Sequence, residues 1–95
     1  NRALAEAAHD AGMAAALKND ADQAARLVGD FDFAIVEECV RYDECARYKP
    51  FRDADKAVLA VEYEGDVAKV CATLRSHRFS GIVKDLDLGP RLRRC

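Results

Sequence analysis

Short apolar runs that each stop at charged residues recur along this chain, at residues 13–17, 31–36, 57–63 and 79–83. The run 57–63 is rich in valine and alanine and almost continuously apolar, which is typical of a strand covered on both faces. The run 31–36 stops at two adjacent carboxylates, and the run 13–17 stops at a polar triplet. Because the carboxyl ends of parallel strands share one edge, the pattern predicts a sheet whose polar residues converge there.

Segments with helical spacing separate these runs. Residues 1–11 are rich in alanine and precede Gly12, which readily adopts the positive φ that ends a helix. Asp20 is expected to cap a helix that ends before Gly29. Asp66 is expected to cap a second helix, whose apolar stripe consists of Val67, Val70, Cys71 and Leu74.

Two further segments have weaker patterns. Residues 42–55 are polar and contain Pro50, which predicts a short, irregular helix. Residues 86–95 contain a Gly-Pro pair and are expected to form a loop or a terminal helical turn. Helix and strand therefore alternate four times, and this alternation predicts an α/β fold with parallel strands and right-handed crossovers.

The length of 95 residues leaves two architectures open, a small open sheet and half of an eight-stranded barrel. A complete (β/α)₈ barrel needs about 250 residues. The chain begins without methionine, in the middle of a helical pattern, which favours a piece of a longer barrel. A half-barrel standing alone would leave two unpaired sheet edges, a feature that proteins usually avoid.

Composition excludes several classes of function. The net charge is −2, and the one basic cluster lies at residues 91–94. Nucleic-acid binders usually carry a marked basic excess, so no nucleic acid is expected as a partner. No apolar stretch approaches the roughly 20 residues that a membrane-spanning helix needs.

The four cysteines are Cys39, Cys45, Cys71 and Cys95. An even number favours two disulfides and an oxidising compartment. Three pairings are possible, and proximity along the chain favours Cys39 with Cys45, which leaves Cys71 for Cys95. Free buried thiols are the alternative. A metal site would need clustered ligands such as Cys-x-x-Cys, which the sequence lacks, so neither a metal nor a cofactor is expected.

Acidic residues at the predicted strand ends are the candidates for chemistry. Glu37 and Glu38 are consecutive, so only one of them can point into a cleft at the strand end. Other acids on the same rim would be Asp20, Glu62, Glu64 and Asp85. Paired carboxylates serve glycoside hydrolysis, and they also bind divalent cations. Strand-end acids also serve as helix caps and in salt bridges, and spacing alone favours this structural role.

Several motifs occur together in a specific order: FDFAIVEEC (31–39), YDEC (42–45), KAV (56–58), VEYE (61–64) and KDLDL (84–88), with LKND (17–20) before them. In this order they resemble the carboxyl-terminal half of glycoside hydrolase family 114, the endo-α-1,4-polygalactosaminidases. The resemblance extends from about Gly12 to Cys95, nearly the whole chain.

The resemblance implies a secreted (β/α)₈ barrel that hydrolyses α-1,4-linked galactosamine polysaccharide with two carboxylates. Glu37 aligns with the general acid/base. The other carboxylate, an Asp, belongs to an earlier strand that this chain does not contain, so the chain alone is expected to be inactive without the amino-terminal half of the barrel. Residues expected to line the substrate cleft, from their positions at strand ends, are Lys18, Asn19, Asp20, Glu62, Tyr63 and Lys84.

One position departs from the family pattern. The family usually has Asn before the catalytic Glu, where this chain has Val36. An amide at that position could orient the acid, so its loss bears directly on activity. Two alternatives to an enzyme therefore stay open: a carbohydrate-binding or surface module that has kept the rim and lost the chemistry, and an independent small α/β domain.

Overall fold

Four parallel strands and one short antiparallel strand form a single sheet in the computed structural model, which describes all 95 residues. The strands lie side by side in chain order: β1 (Ala16–Lys18), β2 (Phe33–Glu37), β3 (Val58–Glu62), β4 (Ser80–Lys84) and β5 (Leu92–Arg94). The first four pair in parallel, so the chain crosses over a helical segment between each pair. These four are the strands that the apolar runs predict.

Four α-helices alternate with the parallel strands: α1 (Arg2–Asp10), α2 (Ala24–Leu27), α3 (Lys49–Asp53) and α4 (Val67–Ser76). Short 3₁₀ turns precede α2 and α3, so residues 45–53 form the irregular helix that the sequence predicts within the segment 42–55. The Asp66 cap is confirmed, since its carboxylate accepts the Lys69 amide hydrogen at 3.2 Å. The Asp20 cap is wrong: this residue has φ +66° and makes no side-chain cap bond. Its Oδ2 instead accepts a hydrogen bond from Asn1 at 3.2 Å.

The expectation of a loop or helical turn over residues 86–95 is wrong at its end. Residues 92–94 form β5, which pairs antiparallel with β4 at its outer edge. The amide of Cys95 continues the ladder by donating to the carbonyl of Gly81 at 2.9 Å. A three-residue strand of Leu-Arg-Arg is too short to show a recognisable period, so the sequence does not predict its pairing with β4.

The two faces of the sheet differ. On one face, alternate residues of the strands are almost fully buried and join the helices in one apolar cluster; these include Leu17, Ala34, Val36, Val58 and Ala60. The other face, here called the open face, carries Phe33, Ile35, Leu59, Val61 and Ile82, all of them partly or largely exposed. A strand covered on both faces was expected at 57–63, yet Leu59 is 39% exposed.

Both predicted disulfides are confirmed. Cys39 is bonded to Cys45, across the turn that follows β2, and Cys71 on α4 is bonded to Cys95 after β5. No cysteine is free. None of the helices has the length and apolar character that crossing a bilayer requires.

Candidate active site

Glu37 is the last residue of β2, at the carboxyl end of the sheet. Because side chains alternate along a strand, Glu37 shares the open face with Phe33 and Ile35, whereas Val36 is fully buried among the helices. The amide of Glu37 donates to Oδ1 of Asn19 at 2.8 Å. Asn19 is itself fixed, since its own amide donates to the carbonyl of Ile35 at 2.8 Å. A side-chain amide therefore does orient the Glu37 backbone, and it comes from the neighbouring strand end.

One oxygen of the Glu37 carboxylate is held by two groups. The hydroxyl of Tyr63 donates to Oε1 at 3.2 Å, and the ammonium of Lys18 lies 3.5 Å from the same oxygen. The second oxygen, Oε2, has no hydrogen-bond partner in the protein. It is also not buried, since Nε of Arg52 is the one side-chain polar atom that is both buried and unpaired. The carboxyl group is thus anchored by one oxygen and free to meet a ligand with the other.

Tyr63 follows β3 directly and reaches the open face beside Glu37. Desolvation by burial, together with the negative charge of Glu37, raises the pKa of the Tyr63 hydroxyl above its ordinary value. The phenol therefore keeps its proton well beyond neutral pH, and it acts as a hydrogen-bond donor to the carboxylate.

Glu62 lies on the opposite face of β3 from Tyr63, because the two residues are consecutive. Its side chain is only 1% exposed, and it is the one charged residue among the buried ones. Its Oε1 accepts the amide hydrogen of Val40 at 2.8 Å. Desolvation raises the pKa of Glu62, while the amides of Val40 and Arg41 partly offset this rise. The sequence predicts Glu62 in the substrate cleft. In the structure it is instead buried on the other face of the sheet, where it contacts the turn that follows β2.

Charged residues flank that turn as well. Glu38 has φ +57°, and its Oε2 lies 2.9 Å from Nη1 of Arg41. Arg41 also lies 3.7 Å from Oε1 of Glu64. Arg41 is not among the residues predicted from the sequence, although the spacing of three residues between an acid and an arginine is a usable signal for such a pair.

Two other expected cleft residues are bonded to groups other than Glu37. Asp20 is bonded to Asn1, as described above. Lys84 ends β4 on the same side of the sheet as Tyr63, and its ammonium donates to the carbonyl of Gly89 in the following loop. The structure therefore brings Lys18, Asn19 and Tyr63 into contact with Glu37. It leaves Asp20 and Lys84 at the rim and buries Glu62 on the other face of the sheet. No group of three or more His, Cys, Asp or Glu side chains is placed to hold a metal ion.

A solved protein shares this fold. The chain superposes on the crystal structure of Aspergillus fumigatus Ega3 in complex with galactosamine with a TM-score of 0.82 and 27% sequence identity. The match covers 97% of this chain and 42% of Ega3, so the chain spans less than half the length of that relative. The fold class predicted from the sequence is confirmed: the chain has the α/β architecture of a partial (β/α)₈ barrel.

The fold and the family comparison both indicate a glycoside hydrolase. The family model for glycoside-hydrolase family GH114 matches residues 1–95, and the chain belongs to that family. This confirms the resemblance inferred from the motifs. No curated protein sequence matches the chain significantly.

Proposed function

We propose that this chain is the acid/base half of a secreted endo-α-1,4-polygalactosaminidase, with Glu37 as general acid and base. The observation that carries the proposal is the anchoring of Glu37: Tyr63 and Lys18 hold Oε1, and Oε2 stays free at the carboxyl end of the sheet. In barrel enzymes this end carries the catalytic groups. Family membership and the likeness to Ega3, which was solved with galactosamine, support the substrate class.

The proposed reaction needs a second carboxylate, because glycoside hydrolysis by acid/base catalysis uses a pair. In this proposal the free Oε2 of Glu37 carries the proton that is given to the glycosidic oxygen. A carboxylate from the complementary half of the barrel would act on the anomeric carbon. This chain alone is then inactive, and it regains activity only with that half.

The complementary half would meet this chain at its two free sheet edges. β1 pairs only with β2, and β5 pairs only with β4. The apolar residues of the open face, including Leu59 and Ile82, would become the interior of the closed barrel, where packed side chains from all strands meet. The match to 42% of Ega3 supports this arrangement.

The charge of the rim suits a cationic polymer. Galactosamine units with free amines are positively charged, and Asp20, Glu64 and Asp85 lie at the carboxyl ends of three different strands or in the loops after them. These carboxylates would attract an oppositely charged substrate to the rim. Lys18 and Asn19 would contact the sugar beside Glu37, and Lys84 would line the cleft from β4.

Release of soluble oligosaccharides from an α-1,4-galactosamine polymer by the complete barrel tests this proposal. We expect reducing ends to accumulate with the free-amine polymer, and much more slowly with the fully N-acetylated polymer, which carries no charge. The chain on its own should release none.

The alternative function is a carbohydrate-binding module without catalysis. The replacement of the family's usual Asn by Val36 favours it, because valine offers none of the hydrogen bonds with which an amide at that position would orient the acid. Retention of the complete barrel on the immobilised polymer, with no reducing ends formed, would support this alternative and refute the hydrolase.

A further inference from the structure

We infer that Glu62 is a positioning residue, which holds the turn after β2 and thereby fixes the direction of Glu37. This inference rests on the proposed role of Glu37. Glu62 is 1% exposed and does not reach the open face, so it cannot touch a substrate there. A buried carboxylate is retained in a fold only where strong hydrogen bonds compensate its desolvation.

The contacts of Glu62 connect β3 to the turn after β2. Its Oε1 accepts the amide hydrogen of Val40, three residues after Glu37, at 2.8 Å. Strand pairing ends just before, where the amide of Glu38 donates to the carbonyl of Val61 at 2.9 Å. Beyond Glu38 the backbone amides of the turn have no backbone partner on β3. The amide of Val40 is bonded instead by the side-chain carboxylate of Glu62.

The turn itself needs such support. Glu38 has φ +57°, a left-handed conformation that a residue with a Cβ adopts at a cost in energy. Such a conformation persists when surrounding contacts fix it. Cys39 is held by its disulfide to Cys45, and Val40 is held by Glu62, so the backbone on the far side of Glu38 has two anchors.

The consequence reaches Glu37 through the backbone. Asn19 fixes the amide of Glu37 from one side, and Glu62 fixes the turn from the other. Together they set the direction in which the Glu37 side chain leaves β2. Misplacement of a reacting group by about 1 Å can lower a rate about 10²-fold.

Glu62→Ala and Glu62→Gln in the complete barrel test this inference, with Val58→Ala as the matched control. Val58 lies on the same strand and the same face, is equally buried, and does not touch the turn. We expect Glu62→Ala to lower kcat about 10²-fold with KM little changed. Glu62→Gln keeps an acceptor oxygen and should restore part of kcat, whereas Val58→Ala should lower the Tm and leave kcat unchanged.

Amide hydrogen exchange gives a readout that does not depend on activity. The amide of Val40 should exchange much faster in Glu62→Ala than in wild type or in Val58→Ala, and Glu62→Gln should lie between Glu62→Ala and wild type. Unchanged exchange at Val40, or a kcat that falls equally in Val58→Ala, would overturn the inference. If the Ala variant fails to fold, Gln and wild type still decide the result. A wild-type barrel that hydrolyses nothing would refute the proposed function separately, while exchange at Val40 would still test the support of the turn.

Discussion

Two donors, Tyr63 and Lys18, contact the same oxygen of Glu37, and the other carboxylate oxygen has no partner in the protein. Tyr63 donates through a neutral hydroxyl at 3.2 Å, and Lys18, whose side chain is 61% exposed, contributes a solvent-screened charge. Exposed ion pairs contribute little, so the phenol is the more important anchor. The sequence identifies Glu37 and Tyr63 through strand-end position and resemblance, but their contact depends on the register between β2 and β3.

Replacement of Tyr63 by Phe should lower kcat of the complete barrel about tenfold, since a hydrogen bond to a charged group is worth about 1.5–3 kcal/mol. KM should change little because the ring is kept. Tyr42→Phe is the control, since Tyr42 is 58% exposed and its hydroxyl makes no hydrogen bond. Steady-state kinetics on the galactosamine polymer measures both, and equal effects of the two variants would contradict this role of Tyr63.

Glu62 predicts a dependence of stability on pH. Its pKa is raised in the fold, chiefly by desolvation, so the folded state holds a proton that the unfolded chain has lost. Its stabilising contribution is therefore complete below the unfolded pKa of about 4.3 and is lost as the pH rises through the folded pKa. Glu62→Gln remains neutral throughout.

We accordingly expect the free energy of unfolding of wild type, relative to Glu62→Gln, to fall as the pH rises through this window. Urea unfolding at a series of pH values measures the difference. Glu6→Gln, a change at an exposed helical residue, should show no such trend. A constant difference, or one that grows with pH, would be inconsistent with a raised pKa of Glu62.

Among the secondary-structure elements, the sequence predicts the four parallel strands, but it does not predict which face of β3 is covered or that β5 forms. The apolar runs predict the four parallel strands, because each run is short and bounded by charged or turn residues. A continuous apolar run has no alternation, so it does not reveal which of the consecutive residues Glu62 and Tyr63 faces the open side of β3. The strand β5 is not predicted for another reason. Its residues are exposed, and its position depends on pairing with β4 and on the disulfide between Cys71 and Cys95.

This bond should be what keeps β5 on the sheet. Replacing Cys71 and Cys95 by Ala should lower the free energy of unfolding by about 3 kcal/mol, the value for closing a loop of this length. Amide exchange should also show that residues 92–94 lose protection. The same change at Cys39 and Cys45 should leave β5 protected. Persistent protection of β5 without its bridge would show that backbone pairing alone suffices.

The main feature of the whole molecule is that the open face of the sheet is not covered by helices. One side of the sheet is covered by helices, while the other presents apolar residues such as Ile35 and Leu59 to solvent. Contiguous exposed apolar surface is uncommon on a monomer and indicates a surface that is covered by another part of the structure. The proposed complementary half of the barrel would cover it and also supply the second carboxylate.

Assembly of this chain with the complementary half on a separate polypeptide should therefore depend on the open face. Leu59→Asp places a charge in the future barrel interior and should abolish the complex in size-exclusion chromatography with light scattering. Leu86→Asp is the control, because Leu86 is 64% exposed in the loop after β4. Complex formation by Leu59→Asp at the level of wild type would argue against a closed barrel.

The central claim is that Glu37 carries the acid/base chemistry, and hydrolysis by the complete barrel with Glu37→Gln tests it most directly. Gln has nearly the same shape and cannot transfer a proton, so release of oligosaccharides from the galactosamine polymer should fall about 10²-fold or more. Glu6→Gln should retain the wild-type rate. A Glu37→Gln enzyme that cleaves the polymer as fast as wild type would contradict the account.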